Sequence, residues 1–219
     1  VYIDLNDINA YASYVNSIGG NIRLEVGEQD SLTYIAAEKL FMRGDNDGAR
    51  RSLINYLQTF PEGAFSSNAN FYLGSIAFAK KEFDEAIQRF KSVIASGDTK
   101  FLEESVARTA EIEYLSKDYP AALESFKRLQ IVAENPENRQ AARLGIMRCA
   151  LQTGQQKDAL LAADELLKEP KLSPELEAEA RYVRAKAYIA QKQANKALAD
   201  LKELSKDTRT VHGAEAKYL

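Results

Sequence analysis

The side chains able to do chemistry are few and lie far apart along the chain. His212 is the only histidine and Cys149 is the only cysteine. A general base needs an oriented partner within a cleft, and the sequence around His212 indicates neither. We therefore expect a surface histidine, and a buried inert thiol at Cys149, as is usual for a free cysteine. One cysteine also excludes an internal disulfide and a cysteine metal cluster.

The acidic motifs do not form a convincing cation site either. Asp45-Asn-Asp-Gly48 begins like a calcium loop, but no acid stands at the twelfth position, and these residue types are typical of turns. Glu103-Glu104 and the series Glu175, Glu177 and Glu179 suit the solvated first turns of helices. Phosphate-loop, dinucleotide, serine-hydrolase and zinc-protease motifs are absent. The sequence thus predicts no catalytic residue, metal or cofactor, and a protein that is not an enzyme.

Composition narrows the class of protein further. The chain has 219 residues, 45% of them hydrophobic and 28% charged, which favours a folded core over disorder. Twenty-nine Lys+Arg balance 32 Asp+Glu to a net charge of −3, so no nucleic-acid-binding surface is indicated. The longest apolar run, Ala159–Ala163, is too short to insert into a membrane. Val1 in place of Met, and helix-like residues at the other end, suggest a piece of a longer protein.

The sequence contains an internal repeat of about 37 residues. In each of five sets an alanine is followed by an apolar residue four positions later and by a second apolar residue three positions after that. Successive alanines of this series lie 37, 36, 37 and 38 residues apart. Spacings of three and four are helical, so the recurrence predicts stacked helix pairs. The five sets are Ala49-Leu53-Tyr56, Ala86-Phe90-Val93, Ala122-Phe126-Leu129, Ala159-Ala163-Leu166 and Ala197-Leu201-Leu204.

Residues between these sets agree with the same register. Gly44 and Gly154 each precede an alanine of the series by five residues, where a tight turn must join two helices. Asp30-Ser31 is predicted to cap the first repeat helix. Helix starts or stops are predicted at the prolines of the longer connections, Pro61, Pro136, Pro170 and Pro174.

Gly74, Phe83, Ala86 and Phe90 together resemble the tetratricopeptide repeat (TPR) pattern. The resemblance implies an all-α fold, a right-handed α-α superhelix (TPR solenoid) of about five repeats with a partial sixth. The repeats are placed at residues 30–66, 67–102, 103–139, 140–177 and 178–209, within an array of 30–209, and residues 210–219 begin a further helix.

Residues 1–29 lie outside the array in this scheme. The spacing over Leu5–Ile18 predicts a short amphipathic helix, and Ile22–Val26 alternates like a strand or an extended linker. We interpret this segment as a cap or linker next to the first repeat.

Two short stretches resemble one subgroup of the TPR family. Tyr56–Pro61 and Asn68–Gly74 are similar to cell-envelope TPR proteins of bacteria, namely the Tol-Pal-associated protein and the lipoprotein of outer-membrane protein assembly. Those families bind other envelope proteins and catalyse nothing. The expectation that follows is a location in the periplasm or cell envelope of a bacterium.

In the TPR family the first helices line a concave groove that binds a peptide or helix. Glu38 and Glu104 stand where chaperone-binding TPRs hold a terminal carboxylate, and they would repel one. A protein or peptide partner of another kind is therefore expected. The groove positions implied here are Tyr34, Glu38, Phe41, Phe71, Phe78, Tyr114, Leu144, Arg148, Leu151, Tyr182, Lys186 and Ile189.

The sequence thus favours a non-catalytic protein-interaction scaffold with a structural role. Three alternatives stay open at this point. The array is the substrate-recruiting arm of a larger enzyme, a glycan-uptake or envelope-assembly accessory protein, or a self-associating element that uses an open C-terminal edge.

Overall fold

The computed structural model describes Tyr14, Ser17, residues 26–97 and residues 99–219. Over these residues the chain consists of α-helices, turns and short connections, without a β-strand. It divides into two compact units, Val1–Ser105 (unit 1) and Val106–Leu219 (unit 2). The all-α fold class expected from the repeat is confirmed.

The helices come in pairs, each joined by a turn of three residues. Unit 1 contains α1 (Val26–Met42), α2 (Asn46–Thr59), α3 (Ser66–Ala79) and α4 (Phe83–Ser96). The unit boundary falls within α5 (Leu102–Leu115). Unit 2 continues with α6 (Tyr119–Val132), α7 (Pro136–Gln152), α8 (Gln156–Leu166), α9 (Pro174–Ala190), α10 (Ala194–Leu204) and α11 (Val211–Glu215).

The same backbone turn closes every pair. Its middle residue has positive φ in all five cases: Gly44, Lys81, Lys117, Gly154 and Lys192. The next residue donates its N–H five residues back, as Asp45 does to the Leu40 carbonyl at 3.0 Å. This hydrogen bond closes the end of the first helix and reverses the chain. Sequence reasoning found the two glycine turns; the three lysine turns gave no comparable signal.

The alanine series forms the contact between the helices of each pair. All five alanines are fully buried, and the apolar residues that follow them are buried as well. Glycine allows still closer contact at two places. A Cβ on Gly74 would lie 2.8 Å from the Phe90 ring, and one on Gly145 would lie 2.4 Å from the Phe126 ring. The repeat register therefore predicted the core correctly.

Asp30 has a different role from the one predicted. The first helix begins at Val26, so Asp30 and Ser31 lie within it rather than at its N-terminus. Asp30 is buried and accepts the Tyr56 hydroxyl at 2.5 Å and the Ala64 N–H at 2.8 Å. The predicted cap is thus wrong, because the carboxylate accepts hydrogen bonds from α2 and from the connection that follows it, and not from the first N–H groups of its own helix.

The predictions for the chain ends have different outcomes. Leu5–Ile18 lies outside the described residues except for Tyr14 and Ser17, which are helical. Val26 belongs to α1, so the extended segment predicted for Ile22–Val26 does not include it, and residues 22–25 are not described. At the other end a helix does follow residue 210, as the five-residue α11. No described helix is both long and apolar enough to span a bilayer.

Candidate functional site

The groove positions of unit 1 lie on α1 and α3, and their side chains differ in accessibility. Tyr34 is only 2% exposed, so its ring offers no surface to a partner. Its hydroxyl donates to Glu38 Oε1 at 2.5 Å and accepts the Asn68 side-chain N–H at 3.2 Å. Burial, and then this hydrogen bond to Glu38, raise the pKa of Tyr34 above its ordinary value.

Glu38 is half-buried at the centre of this arrangement. The Tyr72 hydroxyl on α3 also donates to Glu38 Oε1, at 3.0 Å. The two tyrosines therefore direct their hydrogens at one carboxylate oxygen and fix its orientation. Burial followed by the bond to Glu38 raises the pKa of Tyr72 as well.

Aromatic rings continue from this carboxylate along one face, which we call the aromatic face (Glu38, Phe41, Phe71, Tyr72 and Phe101). Phe41 packs against Tyr72 with ring centroids 4.5 Å apart, and Phe71 stacks on Phe101 at 4.2 Å. Tyr72 and Phe101 meet edge to face at 6.0 Å. The three phenylalanines are half-buried, so part of each ring is accessible to solvent. Phe78 is also half-buried, and its ring centroid lies 6.1 Å from that of Phe83.

Sequence reasoning did not include Phe101 in this face. It lies in the connection before α5, not on a first helix, so the repeat register assigned it no groove position. The available signal was a large aromatic residue immediately before an acidic helix start. Lys100 Nζ lies 4.7 Å from the centroid of the Phe101 ring, which shows that this ring is near a cation within the chain itself.

In unit 2 the predicted positions do not form one comparable aromatic cluster. Arg148 on α7 makes two hydrogen bonds of 2.7 Å to the Glu179 carboxylate on α9. This bidentate pair raises the pKa of Arg148. It also corrects the interpretation of Glu179 as a solvated helix start, since its carboxylate joins two helices. The remaining α5 and α7 positions, Tyr114, Leu144 and Leu151, are half-buried.

The three α9 positions differ, and Tyr182 is the one shown in contact with α11. Tyr182 stacks on His212 at 4.7 Å between ring centroids, and Lys186 Nζ lies 5.3 Å from the Tyr182 ring. Burial, and then a hydrogen bond to Glu215, raise the pKa of Tyr182 to about 12. Ile189 is half-buried against the neighbouring core. His212 is therefore a packing residue in this unit.

A cleft of about 590 Å³ lies beside these residues in unit 2. Its walls carry Glu177, Glu179, Glu203 and Asp207, a set that sequence reasoning did not bring together. Each of these acids has a basic partner within 3 Å, as in the Glu177–Arg181 pair at 2.7 Å. Glu175 also lines the cleft and forms no ion pair with any of the described residues, so one acid of the cleft keeps an unpaired charge.

The side chains considered above for catalysis or metal binding have structural roles. Cys149 is fully buried, and burial raises the pKa of its thiol to about 11, so the nucleophilic thiolate is disfavoured. Asp45 caps α2 by accepting the Gly48 N–H at 2.9 Å. Among the described residues no group of three or more His, Cys, Asp or Glu side chains is arranged to hold a metal ion.

Paired helices closed by identical turns, with a buried small residue in each pair, define a helical-repeat protein. Residues 36–99 match the family model of the tetratricopeptide repeat. That stretch is thus similar to the tetratricopeptide repeat, and helical pairs of the same design follow it in the chain. No curated protein matches the sequence.

Solved structures support the same fold. The TPR protein YrrB, described as having an unusual peptide-binding site, is 18% identical with a TM-score of 0.63, covering 86% of this chain and 91% of YrrB. MamA is 16% identical with a TM-score of 0.57, covering 84% and 94% of the two chains. PilW, a type IV pilus biogenesis factor, is 14% identical with a TM-score of 0.50, covering 98% and 92%. At these identities the likeness concerns the fold.

Proposed function

We propose that this protein is a non-catalytic scaffold that binds a peptide or helical segment of a protein partner on the first-helix side of its repeats. The observation that carries the proposal is the aromatic face of unit 1. Its phenylalanines pack against neighbouring rings and stay partly exposed, and partly exposed aromatic clusters of this kind suit a role as binding anchors. TPR folds generally mediate protein–protein interaction, which supports this assignment.

The surroundings of the reactive groups support a role without catalysis. The Cys149 thiol is buried with a raised pKa, and His212 is stacked on Tyr182. His212 lines the unit 2 cleft, but among the described residues its ring forms no hydrogen bond with an acid there, and Cys149 lies in the core. Neither group therefore has the oriented partner that acid–base or nucleophilic catalysis requires. The binding surface is therefore the feature through which the chain acts.

We further propose that the protein acts in the cell envelope of a bacterium. The stretches Tyr56–Pro61 and Asn68–Gly74 support this location through their resemblance to envelope TPR proteins. Fractionation of the source cells, with detection by an antibody, tests it. Recovery in the periplasmic or membrane fraction is expected, and exclusive recovery with cytoplasmic markers contradicts the proposal.

Self-association through the C-terminal region is a second candidate function. Leu198 is 48% exposed and Val211 is 71% exposed, so α10 and α11 present apolar side chains to solvent. Sedimentation equilibrium over a range of concentrations tests this idea. A mass that rises with concentration, and falls to the monomer in a Val211→Ser variant, is expected. A constant monomer mass excludes it.

Affinity capture from the source-cell lysate tests the main proposal. The full chain is compared with a Phe41→Ala/Phe101→Ala variant and with Ile131→Ser, which changes an 84% exposed residue of α6 as a matched control. A protein retained by the wild type and by Ile131→Ser, but lost by the double variant of equal helicity, is expected. Its binding segment is then synthesised and titrated. Equal retention by all three chains contradicts binding on the aromatic face.

A further inference from the structure

The aromatic face contains a carboxylate without a cation. Glu38 is half-buried on α1, and no Lys, Arg or His of the described residues forms an ion pair with it. Its two hydroxyl donors, Tyr34 and Tyr72, both bind Oε1. Within residues 26–97 and 99–219 the second oxygen, Oε2, accepts no hydrogen bond. One acceptor of a positioned carboxylate is thus available to a ligand.

Three other acids of unit 1, Glu82, Asp47 and Asp30, differ from Glu38 in this respect. Glu82 pairs with Arg50 at 2.7 Å, and Asp47 pairs with Lys80 at 2.5 Å. Asp30 is satisfied on both oxygens by Tyr56 and the Ala64 N–H. Partly burying a carboxylate costs solvation, and a cation supplied by a ligand would offset that cost.

The rings beside Glu38 complete the chemistry of a cation site. Tyr72 connects the carboxylate to the cluster, since its hydroxyl binds Glu38 and its ring packs on Phe41 at 4.5 Å. The faces of aromatic rings attract cations, and a planar guanidinium stacks on them while its N–H groups bind a carboxylate. Met42, one turn after Glu38, is 67% exposed and adds an apolar surface next to the acid.

We infer that Glu38 and the neighbouring aromatic rings of unit 1 receive an arginine side chain of the partner segment. This inference rests on the proposed function and names the chemistry of its ligand. The guanidinium donates to Glu38 Oε2 and lies against the half-buried Phe41 ring. An anionic terminus is repelled by the same carboxylate.

A nuclear magnetic resonance titration tests the site without knowledge of the partner. The probe is N-acetyl-arginine N-methylamide, and its neutral isostere N-acetyl-citrulline N-methylamide is the control. Saturable shifts of the Met42 methyl group and the Phe41 ring are expected with the arginine probe alone. In Glu38→Gln, which keeps both tyrosine bonds available, these shifts should fall about tenfold or more at equal probe concentration. Glu62→Gln removes an exposed charge elsewhere in unit 1 and should leave them unchanged.

Equal shifts with arginine and citrulline, or shifts that survive in Glu38→Gln, overturn the inference. Selection of a phage-displayed library of random peptides on the full chain then tests the arginine site separately from the peptide-binding function. Enrichment of arginine on the wild type and its loss on Glu38→Gln support the site. Selected peptides without arginine, bound equally by both chains, reject the arginine site but keep the peptide-binding function. If no peptide is selected, the proposed function fails as well.

Discussion

At the scale of single residues, Asp30 connects parts of unit 1 that are distant in sequence. Its two oxygens bind Tyr56 on α2 and the backbone at Ala64, and the Tyr56 hydroxyl accepts the Phe65 N–H at 3.0 Å. The sequence-based expectation of a cap recognised a short acid near a helix start. It missed the actual role because the partners lie 26 and 34 residues away.

We predict that Asp30→Asn destabilises the protein by about 1–3 kcal/mol. The amide replaces one of the two acceptor oxygens by an NH2 group, so either the Tyr56 hydroxyl or the Ala64 N–H loses its acceptor. Urea unfolding followed by circular dichroism measures the change. Glu62→Gln, an exposed acid near the same connection, is the control and should stay within about 0.5 kcal/mol of the wild type.

Gly145 is a second residue whose role is set by one contact. An added Cβ would meet the Phe126 ring at 2.4 Å, so we expect Gly145→Ala to cost about 1–3 kcal/mol through overpacking. Gly27→Ala is the matched control, because no atom lies within 4 Å of its Cβ position and alanine favours a helix. Thermal unfolding compares the two. If Phe126→Leu fails to recover part of the loss in a double variant, the contact is not the cause.

At the scale of elements, the helix-closing turn shows what the sequence revealed and what it did not. Gly44 and Gly154 marked two turns because glycine adopts positive φ without strain. Lys81, Lys117 and Lys192 adopt the same conformation with φ near 60° and gave no such signal. The helix pairing, imposed by the buried alanine series, selects this backbone whichever residue stands there. Periodicity therefore predicted the fold, whereas residue type predicted only part of the turns.

The candidate site was less predictable than the fold for a related reason. Register placed Phe41 and Phe71 on the first-helix face, but it carries no information on which side chains are buried by neighbours. Tyr34 is buried under its hydrogen bonds, and Phe101 joins the face from a connection. These outcomes depend on contacts between helices, which spacing within one helix does not encode.

The lysine turns yield a prediction for stability. Replacing Lys117 by Gly removes the strain of a side chain at positive φ, and we expect a gain of about 0.5–1 kcal/mol after the entropy cost of glycine. Gly154→Ala is the reverse change at the equivalent turn, where nothing lies within 4 Å of the new Cβ, and it should cost about 1 kcal/mol. Both are measured by chemical denaturation. Changes of the same sign in the two variants would contradict the backbone explanation.

At the scale of the whole molecule, the described tyrosines whose pKa is raised are distributed unequally between the two units. Tyr34, Tyr56 and Tyr72 belong to unit 1, and Tyr182 belongs to unit 2. Burial is the largest cause in each case, followed by a hydrogen bond to an acid that the neutral hydroxyl donates. Folding therefore holds these phenols in their protonated form. The stability of each unit depends on this protonated form, and to different degrees in the two units.

This asymmetry predicts how stability responds to alkali. Above pH 10 the unfolded chain releases these protons while the folded chain retains them, so the unfolded state binds fewer protons and the free energy of unfolding falls. The loss is about 1.4 kcal/mol per pH unit for each such tyrosine, and it continues up to the folded pKa, about 12 for Tyr182. Because unit 1 has three of these described tyrosines, its backbone amides should lose protection from hydrogen exchange at a lower pH than those of unit 2. Hydrogen exchange read by mass spectrometry between pH 9 and 12 measures the order, with Tyr72→Phe reducing the slope in unit 1 and Tyr182→Phe reducing it in unit 2. Simultaneous loss of protection, with slopes that neither variant changes, would show that other groups control alkaline unfolding.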